Sequence, residues 1–307
     1  MVDRRNFLRQ GAATAAVLAA GGAGFAAASQ KEAPLAASKF KLKYAPSIGQ
    51  FKAHAGDDPL AQIRFAADEG FAAMFDNGLM GRPPAQQESI TGELRDRGMT
   101  LGPFVLYADF GKESFVIRDW DVRDMLLKKM RQGVESSRRT GAKWALVVPG
   151  RYDESLAWEY QTANVVENLR FCMDVCEEAG LIVVLEPLNP RDHPGLFLTR
   201  IPQACQIVRS VASPSCRILN DLYHQQITEG DLIPNIDAAG EDIAAYHIGD
   251  NPGRKEPGTG EINFRNVFKH LHQRGFAGVL GMEHGQSLPG KAGERAVIDA
   301  YRACDGY

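Results

Sequence analysis

The feature that most constrains this chain is a beat. Short apolar runs recur at residues 42–46, 72–75, 100–107, 143–149, 181–187, 217–222, 243–248 and 278–283. Several are rich in Val, Ile or Leu, and most end near Pro, Gly, Asn or Asp. Strands buried on both faces read this way, as in a parallel sheet covered by helices. Between the runs lie longer charged segments with helical spacing, at 58–69, 89–97, 121–140, 158–179, 201–211, 263–274 and 290–304. Gly98 and Gly180 stand where two of these should stop, as glycine does at helix C-termini. Repeated βα units imply a parallel sheet, and eight of them imply closure into a (β/α)8 barrel. The competitor is an open doubly wound sheet, which needs a glycine-rich phosphate loop after its first strand. Here that loop reads SIGQFKAHAG, which is no such motif.

The first 28 residues belong to a different class. DRRNFLR is followed by GAATAAVLAAGGAGFAAAS: a basic start, a run of small apolar residues, and an A-x-A-like end at Ala26–Ala28. That order is read as an export signal, and the Arg4-Arg5 pair with Phe7-Leu8 resembles the twin-arginine form. The run is too weakly apolar for a membrane anchor of about 20 residues. The expected organisation is therefore a signal at 1–28, a short linker at 29–39, and one barrel domain at 40–307, exported to the periplasm by the twin-arginine machinery. The signal carries a net of +2 and the whole chain −3, leaving −5 for the rest. Clustered positive charge, the footprint of a nucleic-acid binder, is missing. The five cysteines are odd in number and contain no C-x-x-C, so neither a disulfide framework nor a thiolate zinc site is indicated.

In a (β/α)8 barrel the site gathers at the C-terminal strand ends. Strand five ends in VVLEP with Glu186, strand six in ILND with Asp221, and His224 follows three residues on. Strand seven ends in AYHIGD with His247 and Asp250, and strand eight in LGMEHG with Glu283 and His284. Three converging carboxylates would repel, and a dication removes that problem. A mostly oxygen set with one imidazole suits Mn²⁺, Mg²⁺ or Co²⁺, with Zn²⁺ as an alternative. A lone acid at a strand end is often just a helix N-cap, and that reading is preferred for Asp250 and Asp231. Glu186 and Glu283 follow apolar runs, where a bare carboxylate is costly. His54, His193, His270 and His272 read as surface or loop residues, and strand alternation turns His284 away from Glu283. The Gly- and Pro-rich stretch GDNPGRKEPGTGEINF offers Arg254 as a bidentate anion or hydroxyl binder. Glu256 and Glu261 could position it. Arg191 and Asp192 are pocket candidates from the loop after strand five.

The strings LEPLNPRDHPGLFL (185–198), NDLYHQQITEGDL (220–232), HIGDNPGRKEPGTGEINF (247–264) and GVLGMEH (278–284) resemble the hydroxypyruvate isomerase family of the xylose isomerase-like TIM barrels. The resemblance implies one divalent metal held by Glu186, Asp221, His247 and Glu283, with Glu186 and Glu283 as catalytic acid and base. It implies His224, Arg254, Asp192 and Glu256 as substrate contacts, and an enediolate route from hydroxypyruvate, or a related hydroxy-keto acid, to its aldehyde isomer. Two departures stand out. Hydroxypyruvate isomerases usually carry Gln where this chain has His247, whereas ketose 3-epimerases carry His. The family also often has Glu near the end of strand two, where Asp76 and Asn77 stand here. The alternatives are thus a ketose 3-epimerase or other free-sugar isomerase and, from another class, a metal- or sugar-binding barrel without turnover. An endonuclease for abasic DNA would want more His ligands and a basic face. The expected partner is a small sugar or hydroxy-keto acid, without nucleic acid or stable membrane insertion. A homo-oligomer is left open.

Overall fold

A computed structural model describes residues 39–307. The expected signal and nearly all of the expected linker fall outside these residues. Nine parallel strand segments follow one another as β1 (Lys43–Pro46), β2 (Ala73–Met74), β3 (Thr100–Leu101), β4 (Phe104–Ala108), β5 (Trp144–Val148), β6 (Ile182–Leu185), β7 (Cys216–Asp221), β8 (Ile243–Ile248) and β9 (Val279–Met282). Seven form a sheet in the order β1-β9-β8-β7-β6-β5-β4, and β2 pairs with β3. The ring closes through shorter links. Ser47 bridges Phe75 beyond the ends of β1 and β2, and the Phe75 N–H donates to Pro46 O at 3.1 Å. β3 and β4 are one stave interrupted at Gly102-Pro103, as expected where Pro cannot donate to a ladder. Eight staves result, the (β/α)8 barrel that the beat implied.

Helices follow the staves for the reasons the sequence gives. Asp58 and Asp119 cap the helices Pro59–Asp68 and Trp120–Thr140 through their side chains, each worth about 1 kcal/mol. Helices Trp158–Ala179 and Ile201–Val211 have the bounds read from spacing. Two short helices, Leu222–Thr228 and Leu232–Ala239, were not anticipated, because each is too brief to show a period. Among the described residues, no helix is long and apolar enough to cross a membrane.

Period-two alternation sorts every stave into an inner and an outer layer. Ala45, Val148, Val184, Leu219, Ala245 and Val279 point into the barrel. Tyr44, Val147, Val183, Ile218, Tyr246 and Leu280 point out, into the larger core beneath the helices. Counting on by two from the inner residues of β6 to β9 gives Glu186, Asp221, His247, and, past Gly281, Glu283. The same count turns His284 outward, where its Nε2 meets the Tyr301 hydroxyl at 3.0 Å.

Candidate metal centre and active site

The four inner residues meet. One ligand atom each from Glu186, Asp221, His247 and Glu283 lie within 4.8 Å of one another, and all but Glu283 are buried. His247 is the hub. Its Nδ1 lies 3.2 Å from Glu186 Oε1 and 3.1 Å from Glu283 Oε2. Its ring fits because β9 places Gly281 beside it. A Cβ there would stand 2.7 Å from His247 Cδ2. Asp221 serves two ends at once. Its Oδ1 caps helix Leu222–Thr228 by accepting from the Tyr223 and His224 N–H groups at 2.8 and 3.3 Å, which leaves Oδ2 to the cluster.

The charges are strained in the way a cation would relieve. Burial and the neighbouring Glu283 charge push the Glu186 carboxyl up to about 7, against the pull of His247. Burial also acts to raise Glu283, but His247 and Arg254 outweigh it and hold that carboxyl below the usual range. Burial would lower His247, yet the two glutamates carry it up to about 10. Without a cation the positive charge in the centre comes from Arg254 and a protonated His247, and a metal held by His247 would have to displace that proton. Three carboxylates and one imidazole at this spacing fit a hard divalent ion with an oxygen-rich shell. The identity of the ion does not follow from the donor set.

Arg254 reaches further in than its expected role at the distal end of a substrate. Its Nη2 donates to Asp221 Oδ2 at 2.8 Å and to Glu283 Oε2 at 2.6 Å, and its guanidinium lies over the Tyr223 ring, 5.0 Å from the centroid. Its Nε is buried without a hydrogen-bond partner among the described residues, a donor still open to a ligand. The loop that carries it is built around Asp250. This carboxylate was read as a helix N-cap; instead it accepts the N–H groups of Asn251, Gly258, Gly260 and Ile262 at 2.8–3.1 Å. Burial with four donors organises the loop rather than a helix. Asp231 stands before helix Leu232–Ala239 but makes no side-chain cap bond. Glu256, expected among the substrate contacts, is buried with its carboxylate on the Ser287 N–H (2.9 Å) and hydroxyl. It ties two βα loops together, buried and with both oxygens engaged by Ser287. Glu261 bonds Gln226 and Asn251 and does not touch Arg254.

Asp192 sits at the rim. It accepts from the Tyr223 hydroxyl (2.7 Å), Asn189 Nδ2 (3.1 Å) and Arg191 Nε (3.1 Å). The Tyr223 bond and then Arg191 and Asn189 outweigh burial and hold it well below the usual carboxylate range. His224 is buried with Nε2 3.6 Å from Asp221 Oδ2, and burial pushes it down to about 4, so it is neutral near pH 7. His193 does lie in a loop, but its ring stands edge-on to His224 and stacks on Phe110, so it walls the site.

Two site residues escaped the sequence reading. Asn77, noticed only as a departure, donates to Glu283 Oε1 at 2.6 Å, while its neighbour Asp76 is taken by Arg82. Asn189 lies fully buried between His224 and Asp192. A surface cavity of about 490 Å³, lined by Arg82, Gln87, Lys129 and Arg139 among others, includes none of the cluster residues. Chemistry rather than volume marks the site.

A family described as xylose isomerase-like TIM barrel matches residues 63–304. The hydroxypyruvate isomerase of Escherichia coli K12 is 32% identical over 179 residues, 57% of this chain and 69% of that protein. The 2-oxo-tetronate isomerase of Cupriavidus necator and a putative hydroxypyruvate isomerase of Xenopus laevis, each 36% identical, are matched over 47% and 44% of their own length. Among solved structures, an AP endonuclease of family 2 from Brucella melitensis superposes with TM-score 0.71 at 24% identity, covering 82% of this chain and 96% of that one. A 3-keto-D-glucoside 4-epimerase from E. coli does so with TM-score 0.71 at 18% identity, covering 87% and 100%. By name these proteins are isomerases, an endonuclease and an epimerase, so the fold alone does not choose among them.

Proposed function

The chain belongs to the xylose isomerase-like TIM barrel family, and from that premise we propose that it is a metal-dependent isomerase of the hydroxypyruvate isomerase type, acting on a small hydroxy-keto acid. The observation that carries this reading is the meeting of Glu186, Asp221, His247 and Glu283 within 4.8 Å at the ends of four successive staves. Three acids and an imidazole would hold a divalent cation, and when bound it supplies Lewis-acid polarisation of a substrate carbonyl.

The protein's own groups do the rest. One of the two glutamates takes a proton from the hydroxymethyl carbon beside the carbonyl, leaving an enediolate. The other returns a proton to the former carbonyl carbon, while a hydroxyl proton passes between the two oxygens. Hydroxypyruvate would so become tartronate semialdehyde with no net gain or loss of atoms. His224 would donate to a substrate oxygen, and the spare Nε of Arg254 to a carboxylate.

His247 favours a second reading. The resemblance associates His at this position with ketose 3-epimerases, which use the same proton abstraction but return the proton to the opposite face.

Both readings are tested by proton–deuterium exchange in D₂O with Mn²⁺, over hydroxypyruvate, related keto acids and free ketoses. Exchange at the carbon beside the carbonyl is expected, and Glu186→Gln should slow it about 10³-fold or more while the fold is kept. Full exchange in Glu186→Gln would remove that residue from the chemistry. Metal uptake without exchange on any substrate would leave a binding barrel.

A further inference from the structure

Asn189 lies in the loop after β6, and its side chain has no exposure. Three contacts fix which end of its amide is which. Its Oδ1 accepts the backbone N–H of Asp192 at 2.9 Å, a group that can only donate. Its Nδ2 faces Asp192 Oδ2 at 3.1 Å, an ionised carboxylate that can only accept. The same Nδ2 lies 2.6 Å from His224 Nδ1, and the backbone N–H of Asn189 points at that nitrogen from 3.3 Å. Two donors converge on one ring nitrogen, so it must offer its lone pair. The imidazole proton is then on Nε2, which is buried, has no hydrogen-bond partner among the described residues, and stands 3.6 Å from Asp221 Oδ2 in the metal cluster.

We propose that Asn189 is a positioning residue that locks His224 as the neutral Nε2–H tautomer, so that His224 meets the substrate as a hydrogen-bond donor and never as a base. This rests on the isomerase reading above and gives one of its residues a defined role. A neutral donor aimed at the oxygen where charge builds up in an enediolate stabilises it without surrendering a proton, which leaves both proton transfers to Glu186 and Glu283. Asn189 also ties this tautomer to the rim, since the same Nδ2 holds Asp192.

The test has a readout that needs no substrate. Nitrogen-15 NMR of the full-length protein, metal-free and with Mg²⁺, is expected to show the His224 ring with a bare Nδ1 and a protonated Nε2 at neutral pH, the resonance being assigned by its loss in His224→Gln. An Nδ1–H or doubly protonated ring would overturn the proposal, whatever the variants do. Asn189→Asp replaces the donor by an acceptor and should move the proton to Nδ1. It should lower kcat about 10²-fold, the scale for losing one oriented donor, with little change in KM. In a His224→Gln background the same change should cost nothing more, because Gln has no tautomer to set. An added loss of equal size there would show that Asn189 acts by another route. Exchange lost or kept in Glu186→Gln bears on the isomerase reading and the tautomer bears on Asn189, so the two fail separately.

Discussion

The two halves of this barrel are made alike and used differently. Staves β1 to β5 end on residues such as Pro46, Phe75 and Val148, and their upper ends are mostly apolar. Among the described residues they touch the centre through the amide of Asn77 on Glu283 and the ring of Phe75 beside His247. Staves β6 to β9 each place an acid or imidazole at an inward position. The first half can therefore tolerate a two-residue strand in β2 and a break between β3 and β4, since a stave that only packs need not aim a side chain. In the second half β6 to β9 carry the chain up to the cluster with one register shift, between β7 and β8 at Ile218/Leu219, and the alternation above it decides whether four polar groups converge or scatter.

The largest test of this division is metal binding. A ligand that binds only the folded state stabilises it by about 2.7 kcal/mol when present at 100 times its Kd, so Mn²⁺ should raise the melting temperature by several degrees. Asp221→Asn should remove most of that rise while keeping a side chain that can still cap Leu222–Thr228. Asp76→Asn, in the first half, should leave the rise intact, because Asp76 bonds Arg82 and the Gly78 N–H and no cluster residue. Equal loss in the two variants, followed by differential scanning fluorimetry, would erase the distinction drawn here.

A smaller and sharper test applies one chemical change to each half. Gly281→Ala would put a methyl 2.7 Å from His247 Cδ2, so the ring must move. Displacing a ligand in this way is expected to weaken metal binding about 10–100-fold, the range for disturbing what orients a ligand. Gly133→Ala, in helix Trp120–Thr140, would put a methyl 2.9 Å from Leu106 Cγ. Overpacking there costs about 1–3 kcal/mol, partly offset by up to about 1 kcal/mol of helix propensity. Calorimetric titration should find the metal Kd of Gly133→Ala unchanged while its melting temperature falls.

How much of this was legible beforehand follows the same division. Periodicity carried the staves, even the two residues of β2, because a run buried on both faces reads as apolar whatever its length. The cluster was legible because it lies on strands, where counting by two fixes direction. The loops were not. Asp250 resembled a helix cap because only the folded loop brings Gly258, Gly260 and Ile262 back to it. Glu256 resembled a substrate contact because nothing in the sequence places Ser287 beside it. Asn189 was missed because its partner His224 lies in helix Leu222–Thr228 of the next βα unit, and only the fold brings the two together.

The smallest effect lies at the seam where the first and last βα units close the ring. Glu69, just past helix Pro59–Asp68, bonds Arg295 at 2.7 and 3.1 Å and lies 3.6 Å from Arg302, both on helix Gly290–Asp305. The Arg295 hydrogen bonds, and then the charges of both arginines, outweigh partial burial and hold the Glu69 carboxyl below its ordinary value. A carboxyl lowered in the folded state contributes stability that is fully present above its unfolded pKa of about 4.3. That contribution is lost as pH falls through the lower, folded value. The pair is largely solvent-screened, so its worth is at most about 1 kcal/mol. Glu69→Gln should therefore melt a little below the wild type at pH 7, and the gap should close in acid below the folded-state pKa. Metal affinity should not change, because the seam joins the halves without touching the centre. A gap that persisted undiminished in acid would mean that Glu69 holds the seam by packing rather than by charge.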